Sequence, residues 1–386
     1  MAKPKVMYWI SEDWYFWSHR LGLARAVRDM GWDVAIATRV NEHGDRIRAE
    51  GFSLTHIDMA RRVAAPWRDA RNILQIAAAI RRERPDIVHQ IGMKQMLYGS
   101  AVTRILGVPG LVNAFAGLGT MFLARGKRAA AVKHSSVAGF RAVMKHPNMR
   151  VIFQNEDDRS EIVGLGIVPL DRTVLIRGSG VNTDHFAPTP LPDGAPLFVL
   201  PARVLWDKGV GEFVEAARKL KARGVTARFA LIGNHDPDNP THVSKEQIEA
   251  WVKEGVVEWW GRRDDMPEVF AQSRAVVLPS YREGLPKALL EGAACGRAVV
   301  STDTPGCREV ARDGENGILV PVRDSDKLAD AMELLATDKE LARRYGETGR
   351  RIIVEELSEQ YVINATLAVY KELLANAHKR HFPFFG

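Results

Sequence analysis

Two glutamates with seven residues between them flank an expected helix start in Tyr281-Arg282-Glu283-Gly284-Leu285-Pro286-Lys287-Ala288-Leu289-Leu290-Glu291-Gly292. The apolar run before it, residues 275–280, has the length of a strand. Pro286 suits the first helical position, where its missing N–H costs nothing, and Leu289, Leu290 and Ala293 give the helix an apolar face. A strand running directly into a helix start makes an anion site, because unpaired backbone N–H groups and the helix dipole both attract negative charge. Glu283 falls in the turn and Glu291 about two turns inside the helix, roughly 8–10 Å apart along the axis at about 1.5 Å per residue. On that spacing, amides near Gly284 and Leu285 hold a diphosphate, Glu291 accepts from ribose hydroxyls and Glu283 faces a sugar. An ordinary surface helix with glutamates in its first turns is the competing reading.

A cationic element stands at the end of another expected strand, in Pro201-Ala202-Arg203-Val204-Leu205-Trp206-Asp207-Lys208-Gly209-Val210. Open α/β sheets bind ligands outside the carboxyl ends of their strands. Arg203 and Lys208 can therefore reach the same ligand and set positive charge against a diphosphate. Surface cations near a helix start are the alternative.

Positioning these loops calls for two α/β halves. The first has strand patterns at 6–10, 33–38, 86–89, 110–114, 151–154 and 173–176, with helical spacing at 21–30, 69–82 and 96–106. Such alternation predicts a parallel sheet covered by helices on both sides. Glycines 178 and 180, followed by Pro188, Pro190 and Pro192, mark a boundary. The pattern then restarts, with strands at 196–200, 228–232, 256–260, 275–278, 298–302 and 317–320 and helices at 210–223, 245–254, 266–272, 324–337, 339–355 and 358–377. The expected domains are 1–187 and 188–357, with 358–386 a C-terminal helix and tail crossing back to the first domain. Two such halves imply a cleft for ligand and hinge motion about the linker.

The 386-residue length suits two domains, and 46% hydrophobic with 26% charged residues suits a soluble globular protein. No apolar run approaches the roughly 18–20 residues that cross a bilayer. Lys3 and Lys5 lead straight into residues 6–10, a strand rather than a signal peptide. Two cysteines, Cys295 and Cys307, fit a reducing cytoplasm and form neither a metal cluster nor a disulfide framework. Charge is uneven: residues 1–187 hold 27 Lys and Arg against 17 Asp and Glu, and the remainder 27 against 30. The basic half is expected to meet an anionic partner such as a phospholipid surface, a diphosphate-bearing acceptor or nucleic acid, unless it is simply a solvated positive face.

Taken in order, these pieces resemble the retaining glycosyltransferases of family four. They are the arginine-to-lysine loop, Gly261-Arg262-Arg263-Asp264-Asp265-Met266, Pro279-Ser280-Tyr281-Arg282-Glu283-Gly284 with the glutamate pair, Thr304-Pro305-Gly306-Cys307-Arg308-Glu309 and Asn316-Gly317-Ile318-Leu319-Val320-Pro321. The resemblance covers nearly the whole chain and is densest over 199–322. It implies an α/β chain of GT-B fold, two Rossmann-like parallel-sheet domains facing across a cleft, using a nucleotide sugar with no cofactor and no metal. On this resemblance Arg203 and Lys208 neutralise the donor diphosphate, Glu283 meets the donor sugar and Glu291 binds ribose. Gly284 and Leu285 hold phosphate oxygens by their amides, Ser280 lies on the donor side, and residues around Arg262 flank the base.

The first half departs from the commonest family pattern. A paired-glycine loop is replaced by residues 11–20, rich in aromatics and ending in His19 and Arg20, and a histidine before Gly117 is replaced by Ala116. Both features, with Gly117-Leu118-Gly119, resemble the branch that extends polyprenyl-diphosphate-linked saccharides. That resemblance puts Gly117, Leu118 and Gly119 on the acceptor side by their backbone, and His19 and Arg20 against acceptor phosphate or sugar. Met121-Phe122-Leu123-Ala124-Arg125-Gly126-Lys127-Arg128, with Lys133, Arg141 and Lys145, mixes apolar and basic residues in the manner of an interfacial segment. The C-terminal Phe382, Phe384 and Phe385 can add to it. The expected setting is cytoplasmic and peripheral, on an anionic membrane at the inner face, with no nucleic-acid partner. Rival readings are a soluble-acceptor transferase, a nucleotide-sugar epimerase and a catalytically silent nucleotide-sugar-binding subunit. A dinucleotide oxidoreductase is disfavoured, since no strand runs into G-x-G-x-x-G.

Overall fold

Uninterrupted runs such as Val6-Met7-Tyr8-Trp9-Ile10 and Ala275-Val276-Val277-Leu278 present apolar side chains to both faces of a strand, which suits parallel sheets covered on two sides. In the computed structural model, which describes residues 3–58, 66–118, 127–237 and 239–379, they become central strands. The chain divides into two units, Met1–Ser179 with Val362–Gly386, and Gly180–Tyr361. Gly119, the apolar and basic run from Met121 to Gly126, the side chains of Lys127, Arg128 and Lys133, and the terminal phenylalanines lie outside the described residues.

The first unit holds β1 (Lys5–Glu12), β2 (Asp33–Arg39), β3 (Ser53–His56), β4 (Ile87–Ile91), β5 (Gly110–Phe115), β6 (Met149–Phe153) and β7 (Thr173–Leu175). They pair in parallel in the order β3-β2-β1-β4-β5-β6-β7. Its helices are α1 (Asp13–His19), α2 (Leu21–Asp29), α3 (Gly44–Ala49), α4 (Pro66–Glu83), α5 (Met93–Ile105), α6 (Lys127–Val143) and α7 (Glu156–Gly164). Met7, Trp9, Val88 and Leu111 enter the core on one face of the sheet, and Val6, Tyr8, Ile10 and Val112 the core on the other.

The second unit holds β8 (Leu197–Pro201), β9 (Arg228–Ile232), β10 (Glu258–Gly261), β11 (Ala275–Leu278), β12 (Ala298–Thr302) and β13 (Gly317–Val320), parallel in the order β10-β9-β8-β11-β12-β13. Its helices are α8 (Val210–Ala222), α9 (Lys245–Lys253), α10 (Met266–Ala271), α11 (Lys287–Ala294), α12 (Cys307–Val310), α13 (Ser325–Thr337) and α14 (Lys339–Glu356). The last helix, α15 (Glu359–Lys379), sends Val362, Tyr370 and Leu373 into the first unit's core. Residues 180–187 sit with the second unit, where the Val181 amide donates to Leu357 O and the Glu359 amide to Val181 O.

Several expectations need correction. Residues 13–19, read as part of a loop, are helix α1, held by Phe16 packing its ring 6.2 Å from those of both Tyr8 and Phe52. The Asp13 carboxylate also accepts from the Asn41 amide at 2.6 Å and the His43 amide at 2.9 Å. Strand β3 escaped notice because it is a polar edge strand of Ser, Leu, Thr and His with no buried residue. Helix α7 carries little amphipathic signal, and its start is set instead by Asn155, whose side chain accepts from the Asp158 amide. Pro286 precedes α11 rather than opening it, so Glu291 stands a little over one turn inside, not two.

Candidate functional site

In each sheet the strand order turns back between two neighbours, β1 and β4 in the first and β8 and β11 in the second. Such a switch point leaves a crevice at the carboxyl ends of the strands. The loops after β8 and β11 are those carrying Lys208 and Glu283. Lys208 ends a single 3-10 turn, Trp206–Lys208, and Gly209 follows at φ +73°. A Cβ at Gly209 would lie 2.1 Å from Pro279 O, so only glycine lets the two loops close on each other. That approach brings Lys208 Nζ to 2.5 Å from Glu283 Oε1.

Ser280 Oγ lies 2.8 Å from the same carboxylate oxygen and 3.1 Å from Asp207 O, while the Tyr281 amide donates to Asp207 O at 2.9 Å. The Lys208 and Glu283 side chains are 20% and 14% exposed, enough to meet a ligand yet little enough for the charges to act in a weakened dielectric. Behind them, Thr302 Oγ1 donates to Ser280 O. The loop after β12 presses Gly306, at φ +78°, so close that a Cβ there would lie 2.4 Å from Gly284 O. Lys208, Ser280, Glu283 and Gly284 thus form one supported constellation, with Leu285 next in the same turn.

Glu291 is carried by α11, its side chain 14% exposed and paired with Lys287 at 3.5 Å. Burial pushes its carboxyl above the usual range, partly offset by the Lys287 ammonium. The remaining expected donor-side residues are engaged elsewhere among the described contacts. Arg203 donates to Asp236 at 2.7 Å, and Arg262, 62% exposed, pairs with Asp264 at 3.2 Å.

Sequence reasoning missed Asp236, although it too follows the carboxyl end of a strand, β9. It also missed a clamp on the Glu283 loop. Tyr281 Oη donates to Glu212 at 2.7 Å, and the Arg323 guanidinium sits 4.6 Å from the Tyr281 ring centroid. Arg323 has φ +63°, a strained backbone for a side chain of that size, and nothing local in the sequence announces it.

In the first unit Gly117 follows β5 at φ +107° and Leu118 is fully buried. His19 closes α1, its ring stacked on Tyr15 at 4.3 Å and its Nδ1 2.6 Å from Ser18 Oγ. Arg20, read as the end of the 11–20 loop, is 4% exposed at the junction of α1 and α2. Tyr8, His89 and Tyr370 lie within its electrostatic reach.

Two family models match the chain: Glycosyl transferases group 1 over residues 195–338 and Glycosyl transferase 4-like over residues 5–145. The chain is 25% identical to an N,N'-diacetylbacillosaminyl-diphospho-undecaprenol alpha-1,3-N-acetylgalactosaminyltransferase of Campylobacter jejuni over 92% of this chain and 96% of that one. It is 23% identical to a UDP-Gal:alpha-D-GlcNAc-diphosphoundecaprenol alpha-1,3-galactosyltransferase of Escherichia coli over 71% and 72% of the two chains. A crystal structure of a glycosyltransferase from Rickettsia africae superposes with a TM-score of 0.79 at 19% identity, covering 97% of this chain and all of that one (100%). With one glycosyltransferase model on each parallel-sheet unit, this chain belongs to the family-four, group 1 glycosyltransferases of GT-B fold.

Proposed function

We propose that this glycosyltransferase moves a sugar from a nucleoside-diphosphate donor onto a saccharide carried on a polyprenyl diphosphate, with retention at the anomeric carbon, during assembly of a cell-surface polysaccharide. The observation that carries the donor assignment is the Lys208–Glu283–Ser280 constellation at the β8/β11 switch point. Lys208, with Arg203 released from Asp236, neutralises the departing diphosphate, and the turn at Gly284 and Leu285 faces its oxygens. Glu283 orients the sugar, Glu291 accepts from ribose hydroxyls and the Arg262 turn flanks the base. The anomeric C–O bond to phosphate breaks with its electron pair leaving on the diphosphate. The acceptor hydroxyl oxygen then bonds the anomeric carbon on the same face, and its proton passes to the leaving phosphate oxygen.

Support for the acceptor comes from the two relatives whose names specify diphospho-undecaprenol-linked sugars. The excess of 27 Lys and Arg over 17 Asp and Glu in residues 1–187 agrees with it. The first unit would hold that acceptor near Gly117, Leu118, Gly119 and His19, and would rest on the anionic cytoplasmic face of the membrane. No helix among the described residues is long and apolar enough to cross a bilayer, which suits attachment at the surface. The test is a screen of nucleotide sugars by nucleotide release, with and without a membrane lipid extract. Release needing one donor together with the lipid fraction is expected. Transfer to soluble acceptors alone would replace the lipid-linked reading with the soluble-acceptor one, and sugar inversion without transfer would indicate an epimerase.

A further inference from the structure

The switch point of the first sheet holds a buried charge without a counter-charge. Arg20 is 4% exposed and its Nε is sealed from solvent without a partner. No ion pair or side-chain hydrogen bond joins its guanidinium to any described residue. The carboxylates nearest in sequence have other partners: Asp13 Oδ2 accepts from the Asn41 and His43 amides while its Oδ1 is sealed without a partner, and Glu12 pairs with Asn41 Nδ2 at 2.8 Å and Arg39 at 3.9 Å. Arg297, 0% exposed, differs in having acceptors for its guanidinium, Phe270 O at 2.6 Å, Pro190 O at 3.3 Å and Thr189 Oγ1, although its Nη1 is likewise sealed without a partner.

The groups around Arg20 are polar but uncharged. Tyr8 on β1 and His89 on β4 are register partners across the switch point, and Tyr370 of α15 bonds both, at 3.2 Å to Tyr8 Oη and 2.6 Å to His89 Nδ1. All three are 0% exposed, and His89 Nε2 is also sealed and unpartnered. Burial, then the Arg20 charge, holds the His89 imidazole well below its usual range, so this ring stays neutral. A buried cation with no partner is strongly unfavourable unless an anion joins it.

We propose that Arg20 is the seat of the acceptor's diphosphate: its planar fork takes two phosphate oxygens beside the β1/β4 switch point, in surroundings kept dry and uncharged by Tyr8, His89 and Tyr370. The inference rests on the lipid-linked acceptor proposed above and assigns one residue to the charged group of that acceptor. The donor's diphosphate has its own cation, Lys208, in the other unit. Planar bidentate recognition is a property of arginine that lysine lacks.

The experiment compares the full-length wild type with Arg20→Met and Arg20→Lys. Thermal melting is followed with inorganic pyrophosphate and, separately, with a nucleoside diphosphate, and kinetics are measured with a polyprenyl-diphosphate-linked acceptor. Pyrophosphate is expected to raise the wild-type melting temperature more than that of Arg20→Met, whose remaining shift comes from the Lys208 site, while the nucleoside diphosphate stabilises both alike. Ligand-free Arg20→Met should melt at or above the wild-type temperature, and its acceptor KM should rise at least tenfold with donor KM unchanged. An unchanged acceptor KM, or an undiminished pyrophosphate shift, overturns the proposal. Should Arg20→Met fail to fold, Arg20→Lys decides: a raised acceptor KM at wild-type melting temperature supports the assignment, and wild-type KM refutes it. If no lipid-linked acceptor works even with the wild type, the lipid-linked reading fails, and the pyrophosphate melts still judge Arg20 separately.

Discussion

Replacing Lys208 by Met and Glu283 by Gln, singly and together, separates what their contact does for stability from what it does for chemistry. The two side chains meet at 2.5 Å with exposures of 20% and 14%. Opposite charges with centres about 4 Å apart attract by about 4 kcal/mol at an effective dielectric of about 20. Desolvation of both groups offsets much of that. Lys208→Met leaves the Glu283 carboxylate with Ser280 alone, and stranding a charged partner should destabilise the fold by about 1–3 kcal/mol. The double variant removes both charges and should return to within about 1 kcal/mol of the wild type, a coupling of about 1–3 kcal/mol in a double-mutant cycle. Activity should behave differently. Each single variant should lose about 100- to 1,000-fold in kcat, as expected for removing one preorganised electrostatic contact, and the double variant should regain none of it. Urea denaturation gives the stabilities and nucleotide release the rates. A Lys208→Met enzyme within about threefold of wild-type kcat, far short of the loss one electrostatic contact carries, would refute the role of this cation. Additive stabilities would refute the coupling.

Glu291→Gln should trade affinity for stability. Because burial raises the Glu291 pKa in the folded state, its contribution is fully present below the unfolded value and is lost as pH rises through the folded one, so at neutral pH the carboxylate is a burden. The variant should melt higher than wild type at pH 7, with the difference fading in acid. Its donor affinity should fall by about 1.5–3 kcal/mol through loss of charged hydrogen bonds to ribose, about 10- to 100-fold by calorimetry; unchanged affinity would remove Glu291 from the site. Gly209→Ala forces a Cβ against Pro279 O at a left-handed backbone position. It should cost about 1–3 kcal/mol and lower kcat with Lys208 chemically intact, read by denaturation and nucleotide release. His89 has its pKa held down in the folded state by burial and then Arg20, so stability is present above the unfolded value of about 6.5 and falls below it as the unfolded chain takes up a proton. His89→Gln should flatten the fall between pH 6.5 and 5 by about 1.4 kcal/mol per pH unit at most; an unaltered slope would show that this ring does not titrate with unfolding.

Much of the architecture was written into local patterns. Strands apolar on both faces alternate with amphipathic helices, so residues 6–10, 110–114, 228–232, 275–278 and 298–302 declared themselves without any knowledge of their neighbours. The glutamate pair, the Arg203-to-Lys208 loop and the order of the surrounding turns likewise marked the candidate donor-side residues from sequence alone. What local pattern could not convey was long-range contact. Lys208 and Glu283 lie 75 residues apart, and they meet only because β8 and β11 are neighbours and Gly209 lets their loops touch. Arg20 reads as one more polar residue after an aromatic loop. Its burial depends on α1 folding over Tyr8 and on α15 returning Tyr370 from 350 residues later in the chain to sit beside Tyr8 and His89. Strand β3, with no buried residue, exists only because β2 offers it an edge. Periodicity reports which face of an element is apolar. Which charges find partners, and which are buried without one, is decided by the packing of elements distant in sequence.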